Sequence, residues 1–564
     1  MKKEIKRKYW NNLIIVFLVG TLFLSISGCG GGGSGSSPTP TSTTEEGGDT
    51  PGGTNDGEEE RGAGDSADTT APSVSAVTPT TDSSSDVSND NSTVSISVTF
   101  SEAVSGVSGS TFVVQDAQSN AISGTVTYND TTYTATFVPS SRLSLLTQYT
   151  ASLAASIADA AGNALAAYSW SFTTRDGTWE SAAGALDLGA GISANPSIGI
   201  DDNGNSTIAW LENVERNTVI TAQYLYSVNT WGDAKVVEAN GDDVASAPEV
   251  SVGSDGTAIA GWIQNSNGSQ SAWSNVLVGD WVTARVEVIE EEAGAITSLH
   301  TNVADSTSAS SVWIQANRVW GNYYDGTWTA DNAIAIDDGV DISSSPALGV
   351  DDDGNPVVVW VQGDDNLIYA NVLSSSVLTW DDGSDVTISN EVSLDAASAP
   401  HVAVNASQDA FAVWIQAGQL MYNYYLNGSW SGYAAVNETA PHSVPQVALS
   451  DTGLAMIVSV RDARIYTSYY NGSSFTETVI GGLISATTPK VAIDNNGNAM
   501  VLWIEDDNVY YSRYLASSGL WSDPVAIGDA DGGAASSPDL AINSSGNVAA
   551  VWVQGDDIYA SVFR

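Results

Sequence analysis

The stretch "SPALGVDDDGNPVVVWVQGDDNLIYANVL" (residues 345–373) decides the fold. An apolar run follows a proline, an Asp-x-x-Gly turn follows the run, and a second run ends in Trp. A polar break then leads to a third run carrying "IYA". Short Val/Ile-rich runs bounded by turn residues read as β-strands. The phrase returns as "NPSIGIDDNGNSTIAWLE" (195–212), "TPKVAIDNNGNAMVLWIE" (488–505) and "SPDLAINSSGNVAAVWVQ" (537–554). Its Trp falls at 210, 262, 313, 360, 414, 503 and 552, with Ser459 in that place once. Fourteen residues earlier stands Pro196, Pro248, Pro346, Pro400, Pro445, Pro489 or Pro538, with Leu299 once. Eight units at a period of 44–54 residues predict a β-propeller.

Within each unit the turn is usually Asp/Asn-x-x-Gly, as at Asp201–Gly204, Asp351–Gly354 and Asp494–Gly497. Glycine supplies the positive φ that a type I turn with a bulge requires. A fourth strand is expected to open at an aromatic: Trp231, Trp281, Trp328, Trp380, Trp430, Phe475 and Trp521. That makes seven fourth strands after eight three-strand units. The eighth is sought before the first unit, in "DGTWESAAGALDLG" (176–189) with Trp179. Residues 178–188 are therefore expected to complete the last blade and close an eight-bladed ring, which removes an exposed edge. The alternative is an open stack. The repeated Trp sits on a strand that is apolar on both parities, as in "NAMVLWIE" (498–505). That pattern predicts packing between blades rather than a sugar platform.

Asp plus Glu number 66 against 17 Lys plus Arg, a net charge of −49. Such a chain offers no basic face to phosphates, so nucleic acid is excluded as a partner. The N-terminus is basic ("MKKEIKRKYW", 1–10), then apolar ("NLIIVFLVGTLFL", 12–24), then "ISGC" (26–29). This is a secretory signal. Ending at the chain's one cysteine, Ile26-Ser27-Gly28-Cys29 resembles a bacterial lipobox. The resemblance implies cleavage after residue 28 and a lipid on Cys29, hence a membrane-anchored, extracytoplasmic protein of the cell envelope, in the outer membrane if the host has one. Residues 29–67, rich in Gly, Ser, Thr and Glu, read as a disordered tether.

Residues 68–175 hold six or seven short alternating runs, among them "TVSISVTF" (93–100) and "YSWSFTT" (168–174), and predict a β-sandwich. "DTTAPSV" (68–74), "VTFSEAV" (98–104), "IADAAGNALA" (157–166) and "SWSFTT" (169–174) resemble the SbsA-type bacterial Ig-like domain. The resemblance implies a spacer or adhesion module of surface proteins, without catalytic residues. The chain as a whole is therefore expected to be all-β: an Ig-like sandwich, then a propeller over 176–564 that resembles sialidase-like and lectin-like propellers.

Two residue sets are expected on one propeller face. The first lies two residues after the Trp: Glu212, Gln264, Gln315, Gln362, Gln416, Glu505 and Gln554, with Arg461 in the Ser459 unit. The second follows each proline position: Ser197, Glu249, His300, Ala347, His401, Gln446, Lys490 and Asp539. A varied ring on a constant scaffold suggests recognition, so the first set, with His300 and His401, is the expected ligand-binding rim. Three histidines and no cysteine in the propeller argue against a zinc site or a Ser/His triad. The propeller's seven arginines show no pattern matching the arginine triad of sialidases. "DDDGN" (351–355) lacks the alternating ligand spacing of a calcium loop; no cofactor is expected, with calcium left open. The leading expectation is a non-catalytic envelope protein that presents an acidic propeller to a glycan or surface-protein partner. The rival is a propeller glycosidase or lyase acting on extracellular polysaccharide through paired carboxylates.

Overall fold

The computed structural model describes residues 68–564 except 84–86, 90–92, 183, 185, 190, 214–215, 239–243, 245, 247, 267–268, 278–285, 291–294, 329–332, 340–342, 374–384, 392–394, 437–441, 482–484 and 530–531. The signal sequence, Cys29, the tether, Trp281 and Trp380 thus lie outside the described residues. Every described regular element is a strand, and among the described residues no helix is long and apolar enough to cross a membrane.

The first domain packs two antiparallel sheets. One runs in the order Val74–Thr78, Ile96–Phe100, Thr134–Pro139, Gly124–Asn129; the other in the order Phe112–Gln115, Gln148–Leu153, Tyr168–Thr173. Alternation places Ile96, Val98 and Phe100 of one sheet against Phe112, Val114, Tyr149, Ala151 and Phe172 of the other. Trp170 is buried in the same core. Five of these seven strands bury every second side chain, and Val74–Thr78 and Gly124–Asn129, at the ends of their sheet, bury none completely.

From residue 192 onward the described residues form eight antiparallel sheets, the blades. Blade 4 is representative: Ser343–Val350 innermost, then Pro356–Gln362, Leu367–Val372 and Val386–Thr387. Its second strand is buried along its whole length, because blades cover both of its faces. The seven repeated Trp residues are all fully buried, as the doubly apolar pattern predicts.

The inner strand breaks register at the proline position, for example between Ser344 and Ala347, which pair with Val361 and Val359 of the second strand. The residue before this position is left-handed in seven units, from Asn195 (φ 48°) to Ser537 (φ 48°). A bulge leaves its extra residue outside the ladder, which is where a proline without an N–H is tolerated. The constant spacing from proline to Trp is thus the spacing from bulge to core anchor.

The inter-strand turns keep Gly204, Gly354 and Gly497 at φ of 80–82°. Asp201, Asp351 and Asp494 brace them by accepting from the backbone and side-chain nitrogens of Asn205, Asn355 and Asn498. Blade 5 departs: Gln408 takes the glycine place at φ 63°. The fourth strand also departs from expectation. It is continuous only in blade 6 (Phe475–Gly481) and is elsewhere reduced to two-residue pieces among the described residues.

Consecutive inner strands pack on one another, and the last, Ala535–Ile542, packs on the first, Ile192–Ile200. The seam between blades 8 and 1 carries a mixed core of Ile208, Trp210 and Ile220 with Val551, Val553 and Ile558. Polar links join it too: Ile198 N donates to Asp539 Oδ2 (3.1 Å) and Ser544 Oγ to Asp202 Oδ1 (2.7 Å). Blade 8 has three continuous strands. On its free edge Thr178 N donates to Arg564 O (2.9 Å), Arg564 N to Thr178 O (3.2 Å) and Glu180 N to Val562 O (2.9 Å). Trp179 packs edge-on against Phe563. The described residues of 178–188 meet the edge at these points and at Leu186, whose N–H donates to Ile558 O (3.1 Å), without forming a continuous fourth strand of the sheet.

The Ig-like domain sits on the propeller face that carries the Asp-x-x-Gly turns. Leu145 is buried among Met500, Val548 and Phe563, and its N–H donates to Ser545 O (2.8 Å). Arg142 stacks on Tyr226 and donates to Asn203 O (3.1 Å). Asn496 Nδ2 donates to Thr147 Oγ1 (3.0 Å). These partners belong to blades 1, 7 and 8.

Candidate binding face

The residues two places after each Trp are not a ligand rim. Glu212, Gln264, Gln315, Gln362, Gln416, Glu505 and Gln554 are all at most 8% exposed. Residues i and i+2 of a strand share one face, so each side chain lies beside its own Trp. The indole Nε1–H of Trp262, Trp313, Trp360 and Trp552 donates to the Gln two residues on, at 2.7–3.2 Å. Trp414 does so at 3.5 Å, and Trp503 donates to Glu505 Oε2 at 3.0 Å. The amide nitrogen then reaches the incoming connection between blades. Gln362 Nε2 donates to Asp338 Oδ1 (2.7 Å), Gln264 Nε2 to Glu238 Oε2 (3.1 Å) and Gln416 Nε2 to Asn390 O and Asp395 O. Glu212 instead accepts from Leu188 N (3.1 Å). The expectation of ligand contact at these seven positions is corrected: they are buried polar groups, and six of them satisfy a buried indole, as buried polar groups require. The two-residue spacing in the sequence is the signal that would have found this role.

The residues after the proline positions do converge: they stand at one end of the inner-strand stretches that line a central channel of about 390 Å³, although none of them lines it. Each inner strand has one edge without a partner strand, so its N–H groups need acceptors. Several side chains of the set supply one to the next blade. Ser197 Oγ accepts from Val250 N (3.2 Å), Glu249 Oε2 from Thr301 N (3.3 Å), His401 Nδ1 from Val447 N (3.3 Å) and Asp539 Oδ2 from Ile198 N. Two ion pairs complete the belt: His300 Nδ1 with Glu249 Oε1 (2.9 Å) and Lys490 Nζ with Asp539 Oδ1 (3.2 Å). Glu249, His300 and Lys490 remain about a third exposed, with side chains at 37%, 34% and 36%. The ring therefore has a structural duty, and a part left open to solvent.

Its electrostatics are set by enclosure and by the pairs. Burial opposes ionisation of Glu249, but His300 and the Thr301 N–H outweigh it and hold the carboxyl below its usual range. Burial likewise opposes protonation of His300, and Glu249 overrides it, so the imidazole is raised. For His401 burial wins: with Lys490 and His300 adding positive charge, it is pushed down to about 4. It is neutral at pH 7, and since Nδ1 accepts from Val447, its proton is on Nε2.

Blade 6 breaks the pattern. Ser459 Oγ pairs with His442 Nδ1 (2.9 Å), and both are buried. Arg461 lies over the Tyr466 ring, its Cζ 3.5 Å from the centroid, and pairs with Glu477 (3.3 Å). His442 and Tyr466, with rings edge to face, pack beside the place of the absent Trp. Beyond the Ser–His pair, His442 Nε2 meets Arg461 Nη1 at 3.4 Å, an arginine where the second imidazole nitrogen of a hydrolytic triad meets a carboxylate.

Residues 68–174 match the model of the bacterial Ig-like domain. No curated protein matches the chain. Among solved structures, the Dos1 propeller aligns with 8% identity and a TM-score of 0.44, over 68% of this chain and 94% of that one. An α-L-arabinanase of Penicillium chrysogenum aligns with 12% identity and a TM-score of 0.35, over 68% and 98%. A Hadza microbial sialidase aligns with 10% identity and a TM-score of 0.30, over 76% and 75%. These likenesses are of fold.

Proposed function

We propose that the protein is a lipid-anchored, extracytoplasmic presenter of a non-catalytic binding propeller. Cys29 carries the anchor, residues 29–67 form the tether, and the partner is a glycan or another surface protein. One observation carries the reading: the Ig-like domain occupies the turn-bearing face at blades 1, 7 and 8. Among the described residues the opposite face is left free. It holds the channel mouth, where Glu249, His300, His401 and Lys490 stand on rigid inner strands. Groups preorganised in this way meet a ligand at low entropic cost.

The test is a binding screen of the full chain on a glycan array, followed by a hydrogen-exchange footprint of any bound ligand. Protection around 249–251, 300–301, 401 and 490 is expected. Protection confined to the Asp-x-x-Gly turns would overturn the assignment of the face.

A further inference from the structure

In a chain of net charge −49, basic side chains should be neutralised by nearby carboxylates. Five described propeller arginines are: Arg216 by Glu238, Arg318 by Asp337, Arg461 by Glu477, Arg513 by Asp176 and Arg564 by Glu180. Arg464 differs. It is exposed and, among the described residues, makes no ion pair and no hydrogen bond from its guanidinium. It opens the third strand of blade 6, opposite Arg461 across the Asp462–Ala463 turn. It lines a groove of about 510 Å³ at the seam with blade 7, a volume in the range of small-molecule sites. The other walls include Val479, Glu505, Asp506, Tyr510 and Pro524. Val479 is 46% exposed, although apolar. The groove opens beside the turns that leave second strands, on the face left free by the Ig-like domain.

The charges select the ligand. Two carboxylates disfavour a strong anion in this groove, and Arg464 disfavours a cation. A neutral polyhydroxylated ring meets both conditions. Its hydroxyls accept from the guanidinium and donate to Asp506, while its C–H face covers Val479, Pro524 and Tyr510. We infer that this seam between blades 6 and 7 is a second binding site, distinct from the channel mouth, and takes a neutral sugar ring. The inference rests on the reading of this face as the binding face and names its ligand class. It also gives blade 6 a reason to depart from the Trp-x-Gln rule, since rules of a repeat are expected to fail at functional positions.

The test uses the full chain against neutral gluco-, galacto- and manno-oligosaccharides and their uronate-bearing counterparts, with Kd measured for each hit. Arg464→Ala should weaken neutral-sugar binding at least about tenfold, the loss of one hydrogen bond to a charged group. Asp506→Asn, which keeps a residue tolerant of φ 49°, should weaken it less. Both variants should melt with the parent: Arg464 is exposed and its guanidinium holds nothing in the fold among the described residues, and the amide oxygen introduced by Asp506→Asn can still accept from Ser485 Oγ, as Asp506 Oδ1 does at 2.7 Å. Three results would overturn the inference: no neutral oligosaccharide binds, a hit keeps its affinity in both variants, or only uronates bind and Asp506→Asn tightens them. A neutral-sugar hit that survives Arg464→Ala but is lost in Lys490→Ala sinks this site and leaves the binding face standing. A footprint on the turn-bearing face sinks both.

Discussion

Gln362→Ala tests the reassignment of the Trp-x-Gln pairs. Trp360 is fully buried and Gln362 is 2% exposed. The substitution removes the acceptor 2.7 Å from the indole nitrogen and the donor 2.7 Å from Asp338 Oδ1. An indole N–H left unsatisfied in the interior costs about 1–3 kcal/mol, and a lost hydrogen bond to a carboxylate about 1.5–3 kcal/mol. Asp338 has further interactions, so the second figure is a ceiling and the expected total is about 3 kcal/mol. With an unfolding entropy near 2.1 cal/mol/K per residue, a unit of this size loses about 1 °C of Tm per kcal/mol. Thermal unfolding followed by tryptophan emission should therefore fall by about 3 °C, with a shifted emission from the stranded indole.

Gln362→Glu separates this account from mere volume loss. It keeps an acceptor for the indole, as Glu505 does for Trp503 at 3.0 Å, but sets one carboxylate against another at Asp338. Two facing carboxylates share a proton with a raised pKa. The folded protein then holds more protons than the unfolded chain, so this variant should regain stability as pH falls below about 5. Gln362→Ala should show no such recovery. A loss below about 1 kcal/mol for Gln362→Ala with unchanged emission, or a Gln362→Glu deficit that ignores pH, would refute the structural role and reopen the rim.

Cys29→Ser should move the protein from the membrane to the soluble fraction; retention with the signal still cleaved would end the anchor proposal. Replacing 178–188 by a Gly/Ser segment of equal length removes the Arg564–Glu180 ion pair and the Trp179–Phe563 contact, and leaves the backbone bonds at 178 and 180 without side chains to hold them in place. We propose that these close the ring, so the replacement should cost several kcal/mol and promote aggregation through the free edge of blade 8; an unchanged melting curve would disprove it. His401, held down to about 4 in the fold against 6.5 in the unfolded chain, makes folding oppose proton uptake between those values. Stability from this residue is intact above pH 6.5 and lost as pH falls to 4, by at most about 3 kcal/mol. His401→Gln keeps an acceptor for Val447 N–H and should flatten that limb of the Tm–pH curve; an unaltered limb would show that His401 does not titrate as described.

The all-β architecture and the repeat were legible because each unit states them anew: proline at the bulge, glycine at the turn, Trp in the doubly covered strand. The burial of the Trp was legible from parity alone. The duty of the Gln is contained in the same parity, but a polar side chain at a strand end reads equally as one that faces solvent. The ring after the prolines stands on successive inner strands. Its first task, however, is to serve N–H groups on the unpaired edges of the next inner strands, a need set by the radial arrangement of blades. The seating of the Ig-like domain had no signal in the sequence: Leu145, Arg142 and Tyr226 look ordinary until the fold brings them together.

The positions that fail the repeat are of two kinds, and physical chemistry separates them. Leu299 for proline and Gln408 for glycine keep the local geometry: Ser298 before Leu299 is left-handed at φ 52°, and Gln408 adopts a left-handed φ in the place of the glycine. They change no chemistry at the surface. Ser459 and Arg461 replace a buried indole and its acceptor, so the interior had to be rebuilt from His442, Tyr466 and Glu477. A rebuilt interior is costly for a scaffold that packs well with Trp in seven other blades. The arginine across the turn, Arg464, then faces a groove without a partner among the described residues, in a chain where carboxylates outnumber cations by 66 to 17. Glu505 and Asp506 line the same groove, yet neither forms an ion pair with it among the described residues. That it stands unpaired beside an exposed valine is the feature that packing does not explain and ligand binding does.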